Sequence, residues 1–151
     1  MLITVGLSIV MVVLSTVSHY EMLRFLSFLL PRLSIPSRAK LIVVILGAFL
    51  GHGLQILMYA ATYYLMIDDL GLGQIGGTAT PMLSTCVYFS IETYTSLGFG
   101  DITPSGSVRL LTGVEALNGL LLVAWTASYT YLSMEQLWAN GIPRRPGLKD
   151  E

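Results

Sequence analysis

Residues 41–67, LIVVILGAFLGHGLQILMYAATYYLMI, contain no Asp, Glu, Lys or Arg. As a helix rising about 1.5 Å per residue, this run is about 40 Å long, against ~30 Å for the hydrocarbon core of a bilayer. It is long enough to cross a membrane with some tilt. A helix apolar on every side needs apolar surroundings on every side, which a small soluble domain does not offer. His52 and Gln55 interrupt the run. Polar groups at that depth are expected to hydrogen-bond between helices. His52 has a second reading, as a pH-responsive group, because it is ionisable inside the membrane.

Two further runs repeat the pattern. Residues 2–18, LITVGLSIVMVVLSTVS, carry no charge and have about the minimum spanning length. HYEMLRFLSFLL follows, with Met22, Leu23, Phe25, Leu26, Leu29 and Leu30 beside Glu21 and Arg24. It either continues the first helix or lies in the interface as an amphipathic piece. Pro31 and Pro36 mark PRLSIPSRAK as a loop. Residues 107–137 form the third run, with Glu115 and Asn118 inside it, and GIPRRPGLKDE is a short polar tail.

Composition agrees. Of 151 residues, 54% are hydrophobic and 11% charged, where a soluble domain carries about 25% charge. Mean hydropathy is +0.71. A net charge of −1 gives no electrostatic reason to expect nucleic acid. The single cysteine, Cys86, cannot close an intrachain disulfide and reads as a small buried residue. The opening MLITVGLSIV lacks the basic region of a cleavable signal. Tyr63, Tyr64 and Trp138 read as interface anchors.

Between the second and third runs, MIDDLGLGQIGGTAT reads as a glycine-rich acidic loop, and TPMLSTCVYFSIETYTSLGFGDITP follows it. Thr80 is suited to cap a helix and Pro81 to occupy its first position. A helix from there to about Tyr94 is only ~20 Å long, too short to span. A short apolar helix running into Gly98 and Gly100 describes a re-entrant loop. Non-helical backbone at membrane depth persists only inside protein or beside water, so this segment should line an aqueous path. A cation losing its water there needs replacement oxygens, which backbone carbonyls supply. Aiming successive carbonyls one way demands dihedrals that glycine adopts easily. Ser96 can add a hydroxyl, and the short helix would direct its negative C-terminal end inward.

SIETYTSLGFGD closely resembles the potassium-channel signature, in the form S-V-E-T-x-T-T-V-G-Y-G-D of simple bacterial potassium channels. Ser90, Glu92, Thr93, Thr95, Gly98, Gly100 and Asp101 are identical to that form; Ile91, Ser96, Leu97 and Phe99 are conservative changes. Pro104 and Arg109 also fall where that family's turn from filter to inner helix is expected. The resemblance covers about residues 41–137, and residues 1–40 have no counterpart in the minimal two-helix channel.

The resemblance implies an all-α membrane protein with an outer helix, a pore helix with selectivity filter, and an inner helix. An extra N-terminal helix precedes these, and four chains surround one pore. Residues 1–40 would be the N-terminal helix and basic loop, 41–138 the pore domain and 139–151 a cytoplasmic tail. Carbonyls of Ser96, Leu97, Gly98 and Phe99 would bind K⁺, and Gly100 would turn the chain outward. Glu92 would sit behind the filter and share a proton with Asp101. Thr93, Thr95, Tyr88 and Phe89 would support the filter. Gly119 would stand near the inner-helix bend, with Leu120 and Val123 facing the cavity. Phe99 stands where the family usually has Tyr, so it has no hydroxyl with which to tie the filter to its surroundings. Glu115 would either pair with Arg109 or brace the pore helix, the latter being favoured.

Charge placement gives a separate orientation. If the filter opens outward, Arg24, Arg32, Arg38, Lys40, Arg144, Arg145 and Lys149 all fall at or near the cytoplasmic side, as the positive-inside rule asks. Arg109 lies outside, with Asp68, Asp69 and Asp101. Three crossings then put the N-terminus outside. The expected location is a bacterial inner membrane. Membrane lipids are the expected surroundings, and permeant K⁺ is the expected ligand. No cofactor, nucleic-acid partner or small-molecule substrate is expected. No metal spacing, nucleophile elbow or phosphate loop signals an enzyme. Two further readings remain: a weakly selective cation channel admitting Na⁺, and a non-conducting scaffold or auxiliary subunit.

Overall fold

The computed structural model describes residues 1–76 and 82–139. Three long helices dominate. α1 spans Leu2–Leu29, α2 Ser37–Tyr64, and α4 Val108–Ala139, with the short α3, Leu83–Tyr94, between the last two. The three long helices, with the turns that extend the first two, are each long and apolar enough to cross a membrane.

The reason for this arrangement is visible in α1. Its buried residues are Thr4, Ser8, Met11, Ser15, His19, Leu23 and Leu26, a stripe recurring every three or four positions. Its exposed residues include Ile3, Val5, Ile9, Val10, Val13, Leu14 and Val17. The face turned inward is the more polar one, the reverse of a helix in water. Lipid around the bundle accounts for that inversion. α1 is one continuous helix, so Glu21 and Arg24 lie on it, joined by an exposed contact of 3.4 Å. It packs against both α2 and α4. The approach to α2 is close because glycines face it. A Cβ on Gly47 would meet Leu26 Cδ2 at 2.6 Å, and one on Gly51 would meet Met22 Cε at 2.7 Å. Small residues of this kind allow helices to approach within membranes.

α2 begins four residues before the apolar run, directly after Pro36, whose extended conformation sets the boundary. A π turn, Leu65–Asp69, ends it. The loop that follows holds a strand, which the sequence reading did not anticipate. β1, Gly73–Ile75, pairs antiparallel with β2, Pro104–Gly106, matching Gly73 to Gly106, Gln74 to Ser105 and Ile75 to Pro104. The fold is therefore mostly helical with one small ribbon. That ribbon ties the chain before α3 to the chain after it. α3 itself starts at Leu83 with Met82 in the capping position. The expected cap at Thr80 and first position at Pro81 lie outside the described residues, as does the tail from 140 onward.

The core gathers Tyr59, Tyr63, Met66, Ile75, Cys86, Phe89, Tyr94 and Leu111. Cys86 is buried there, as read from the sequence. Tyr63 corrects an expectation: it is fully buried rather than at an interface, because its hydroxyl bonds Glu115 of α4. Tyr64 and Trp138 are exposed.

Candidate functional site

The segment after α3 is organised by Glu92. Its backbone carbonyl accepts from the amides of Leu97 at 2.9 Å and Gly98 at 3.3 Å. Its side-chain carboxyl accepts from the amide of Phe99. Three successive amides therefore point back toward α3. All peptide bonds are trans, and in a trans peptide the carbonyl points opposite its N–H. The carbonyls of Ser96, Leu97 and Gly98 are thereby aimed away from α3.

The dihedrals that permit this alternate in sign. φ is +56° at Ser96, +51° at Gly98 and +78° at Gly100, with Leu97 and Phe99 between them negative. Glycine takes the positive values without strain. Ser96 does not, and is the one described non-glycine residue with positive φ. The Thr95 hydroxyl turns back to the Ile91 carbonyl at 2.8 Å, and Thr93 is buried. Leu97 and Phe99 are exposed in the single chain, at 57% and 67%.

The acids behave differently from the expected proton-sharing pair. Asp101 Oδ2 accepts from the Tyr88 hydroxyl at 3.0 Å. Glu92 is buried, and its Oε2 has no hydrogen-bond partner. Burial pushes the Glu92 carboxyl above its usual value, and nearby Asp101 pushes it further. The Phe99 amide pulls the other way. So Asp101 acts on Glu92 through its charge, and the hydroxyl reaching Asp101 is Tyr88's. Phe89, expected beside Tyr88, instead sets its ring edge-on to Tyr63, 5.1 Å between centroids.

Glu115 braces α3 rather than pairing with Arg109. Its Oε1 lies 2.6 Å from the Ser90 hydroxyl of α3, and its Oε2 accepts from Tyr63 of α2. Gly119 is in the tightest contact of α4. A Cβ there would lie 2.2 Å from the Tyr94 carbonyl oxygen. The residue therefore permits α4 to touch the end of α3, and α4 runs on through it as one helix. Leu120 and Val123 are exposed on the single chain.

The extra helix enters this assembly through residues that sequence reasoning missed. Asn118 donates to Ser15 of α1 at 2.7 Å and to Tyr59 of α2 at 3.1 Å. His19 of α1 contacts Gln55 and Thr126. His52 and Gln55 do hydrogen-bond between helices, both reaching Tyr94. A usable signal was present. Thr4, Ser8, Ser15 and His19 recur at helical spacing inside an otherwise apolar run.

The ends of the bundle are distinct. The N-terminus of α1 lies at the filter-loop end, where Met1 and Thr4 border a cavity with Gly106, Ser107 and Arg109. Lys40, Ser27, Tyr129 and Gln136 border a cavity of about 310 Å³ at the opposite end.

The model of an ion-channel family matches residues 41–135, well over half the chain and the whole of this site. The chain belongs to that ion-channel family. Neither a curated protein nor a solved structure matches it. The matched region of this channel starts within α2 and ends within α4, leaving α1 outside it.

Proposed function

We propose that this channel conducts K⁺ selectively, through a filter built from Ser96, Leu97, Gly98, Phe99 and Gly100 of four identical chains. The observation that carries this reading is the orientation of the peptide groups after α3. With amides held by Glu92, three consecutive carbonyls face away from the supporting helix. Four such strands around an axis would ring a dehydrated cation with oxygens that carry only partial charge. One chain cannot enclose an ion, so several must surround it, and four is the number that the resemblance to potassium channels implies. The Ser96 hydroxyl would extend the column at its inner end.

Orientation follows from charge. The filter mouth and the N-terminus would face outward, with Arg32, Arg38 and Lys40 on the cytoplasmic side. Asp68, Asp69 and Asp101 would then raise the cation concentration near the mouth. Glu92 would tie the filter to α3 through the Phe99 amide. Glu92→Ala is expected to change how long the filter stays conductive, with Glu92→Gln closer to wild type.

Phe99 favours a second reading, weaker discrimination between K⁺ and Na⁺, because its ring has no hydroxyl to fix the filter width. Purified channel in liposomes decides between them. Bi-ionic reversal potentials far from zero support selectivity, and a reversal near zero supports the second reading. Absence of any K⁺, Na⁺ or Rb⁺ flux would leave a non-conducting subunit. A detergent-solubilised mass other than four chains would remove the axial filter.

A further inference from the structure

Five side chains from all four helices close a ring of hydrogen bonds behind the candidate filter. They are His19 of α1, His52 and Gln55 of α2, Tyr94 of α3 and Thr126 of α4. Gln55 Nε2 lies 3.1 Å from His19 Nδ1, and His19 Nε2 lies 3.3 Å from Thr126 Oγ1. Thr126 Oγ1 lies 2.9 Å from His52 Nε2, and His52 Nδ1 lies 2.8 Å from the Tyr94 hydroxyl. The Tyr94 hydroxyl returns to Gln55 Oε1.

With the Gln55 amide nitrogen toward His19 and its oxygen toward Tyr94, and both imidazoles neutral, the proton count sets every direction. An amide nitrogen only donates, so Gln55 donates to His19 Nδ1, and the His19 proton sits on Nε2 facing Thr126. From the other side, an amide oxygen only accepts, so Tyr94 donates to Gln55. Tyr94 has one proton, so it must accept from His52, whose proton then sits on Nδ1. That leaves His52 Nε2 to accept from Thr126. The two derivations start at opposite ends of Gln55 and meet at Thr126. Turning that amide over reverses every donor and still closes the ring, so in either direction neutral imidazoles take opposite tautomers.

Tyr94 is therefore held twice. Its hydroxyl belongs to the ring, and its carbonyl lies under Gly119. It is the last residue of α3, two before Ser96. We propose that His19 is a positioning residue for the filter, acting from outside the family-matched region. Through the ring, α1 sets where Tyr94 sits and so where the carbonyl column begins. This rests on the filter reading above. Opening the ring at His19 would leave Gln55 and Thr126 each short of a partner, and the freed Gln55 amide could rotate and release Tyr94.

Two measurements test it. Nitrogen-15 spectroscopy of the wild-type imidazoles in lipid needs no ion flux, and the chain has only two histidines to assign. The expected result is one ring protonated on Nε2 and the other on Nδ1 at neutral pH. The same tautomer in both rings, or a charged ring, overturns the proposal. Single-channel recording is the second. His19→Leu removes both hydrogen bonds and should change mean open time and the Rb⁺/K⁺ conductance ratio by roughly three- to tenfold. His19→Gln keeps an acceptor and a donor and should return both within about twofold of wild type. Tyr94→Phe breaks the same ring elsewhere, so adding it to His19→Leu should add little. Full additivity, or no rescue by Gln, overturns the proposal. If the wild type conducts nothing, the filter reading fails, and the tautomers still decide whether the ring exists.

Discussion

Replacing Gly119 with alanine separates a hinge from a contact. A hinge would lose mobility and keep its stability, whereas a contact would lose stability. An ideal Cβ at Gly119 would stand 2.2 Å from the Tyr94 carbonyl oxygen, 3.0 Å from its carbon and 3.1 Å from Tyr94 Cγ. Ordinary contact begins near 3.4 Å, so the two backbones must part by about 3.4 − 2.2 = 1.2 Å. Neither side is a flexible side-chain end, so the helices themselves must shift. Overpacking of this kind costs about 1–3 kcal/mol. Helix propensity opposes it, since alanine in place of an interior helical glycine gains about 0.5–1 kcal/mol. Gly113 supplies the control. It lies in the same helix, and a Cβ there meets nothing within 4 Å. The propensity gain is common to both substitutions and cancels between them. Gly119→Ala should therefore unfold about 1–3 kcal/mol more easily than Gly113→Ala. Gly53 of α2, equally open, is a second control. The assay is SDS-driven unfolding in mixed micelles followed by circular dichroism. Equal midpoints for Gly119→Ala and both controls would refute the close contact and restore the hinge.

Three further outcomes are expected. Ser96→Gly should raise stability by about 1 kcal/mol in the same assay, because glycine holds a positive φ without strain, while removal of the hydroxyl should alter Rb⁺ flux. Glu115→Ala should lower stability by about 1–3 kcal/mol, leaving the buried Tyr63 hydroxyl without its acceptor, and Glu115→Gln should lower it less. The Glu92 carboxyl lies above its usual value of 4.5 when folded, so between those values the folded chain holds a proton the unfolded chain has released. Stability should accordingly fall as pH rises through that window and level off above it, and Glu92→Gln should flatten the slope.

The spans were legible because length without charge is a direct statement about the solvent. The boundaries were less so. α2 extends back to Ser37 because Pro36 sets its start, while the apolar run begins only at residue 41. α1 runs unbroken through Glu21 and Arg24, which a hydropathy reading leaves open. The turn of the chain after α3 was legible in Gly98 and Gly100, but the positive φ of Ser96 was not, since serine gives no local sign of it. The ribbon escaped because three paired residues on each side are too few for an alternating pattern. Tyr63 was misplaced because its partner, Glu115, is 52 residues away. Tyr88 was named as a support of this segment, but its bond to Asp101 was not read, because the motif had pointed to Glu92 as that acid's partner.

The buried polar groups follow one rule. In lipid, apolar surface provides no drive for helices to associate, so close approach and hydrogen bonds must fix their arrangement. α1 has both, with Gly47 and Gly51 of α2 accepting its side chains and its Ser15 and His19 meeting Asn118, Gln55 and Thr126. Those bonds concentrate at the level of Tyr94 and Gly119, where α3 meets α4. A helix present only to anchor the chain would need none of them. Against that hydrogen-bonded interior, where Thr4 Oγ1 and Glu92 Oε2 are the described exceptions, the carbonyls of Ser96, Leu97 and Gly98 stand out. Their amides are bound behind them, and their oxygens face out of the single chain. In the proposed tetramer those oxygens acquire the ion as their partner. The polar bonds of the bundle then serve to hold in place a backbone segment whose oxygens are turned outward for it.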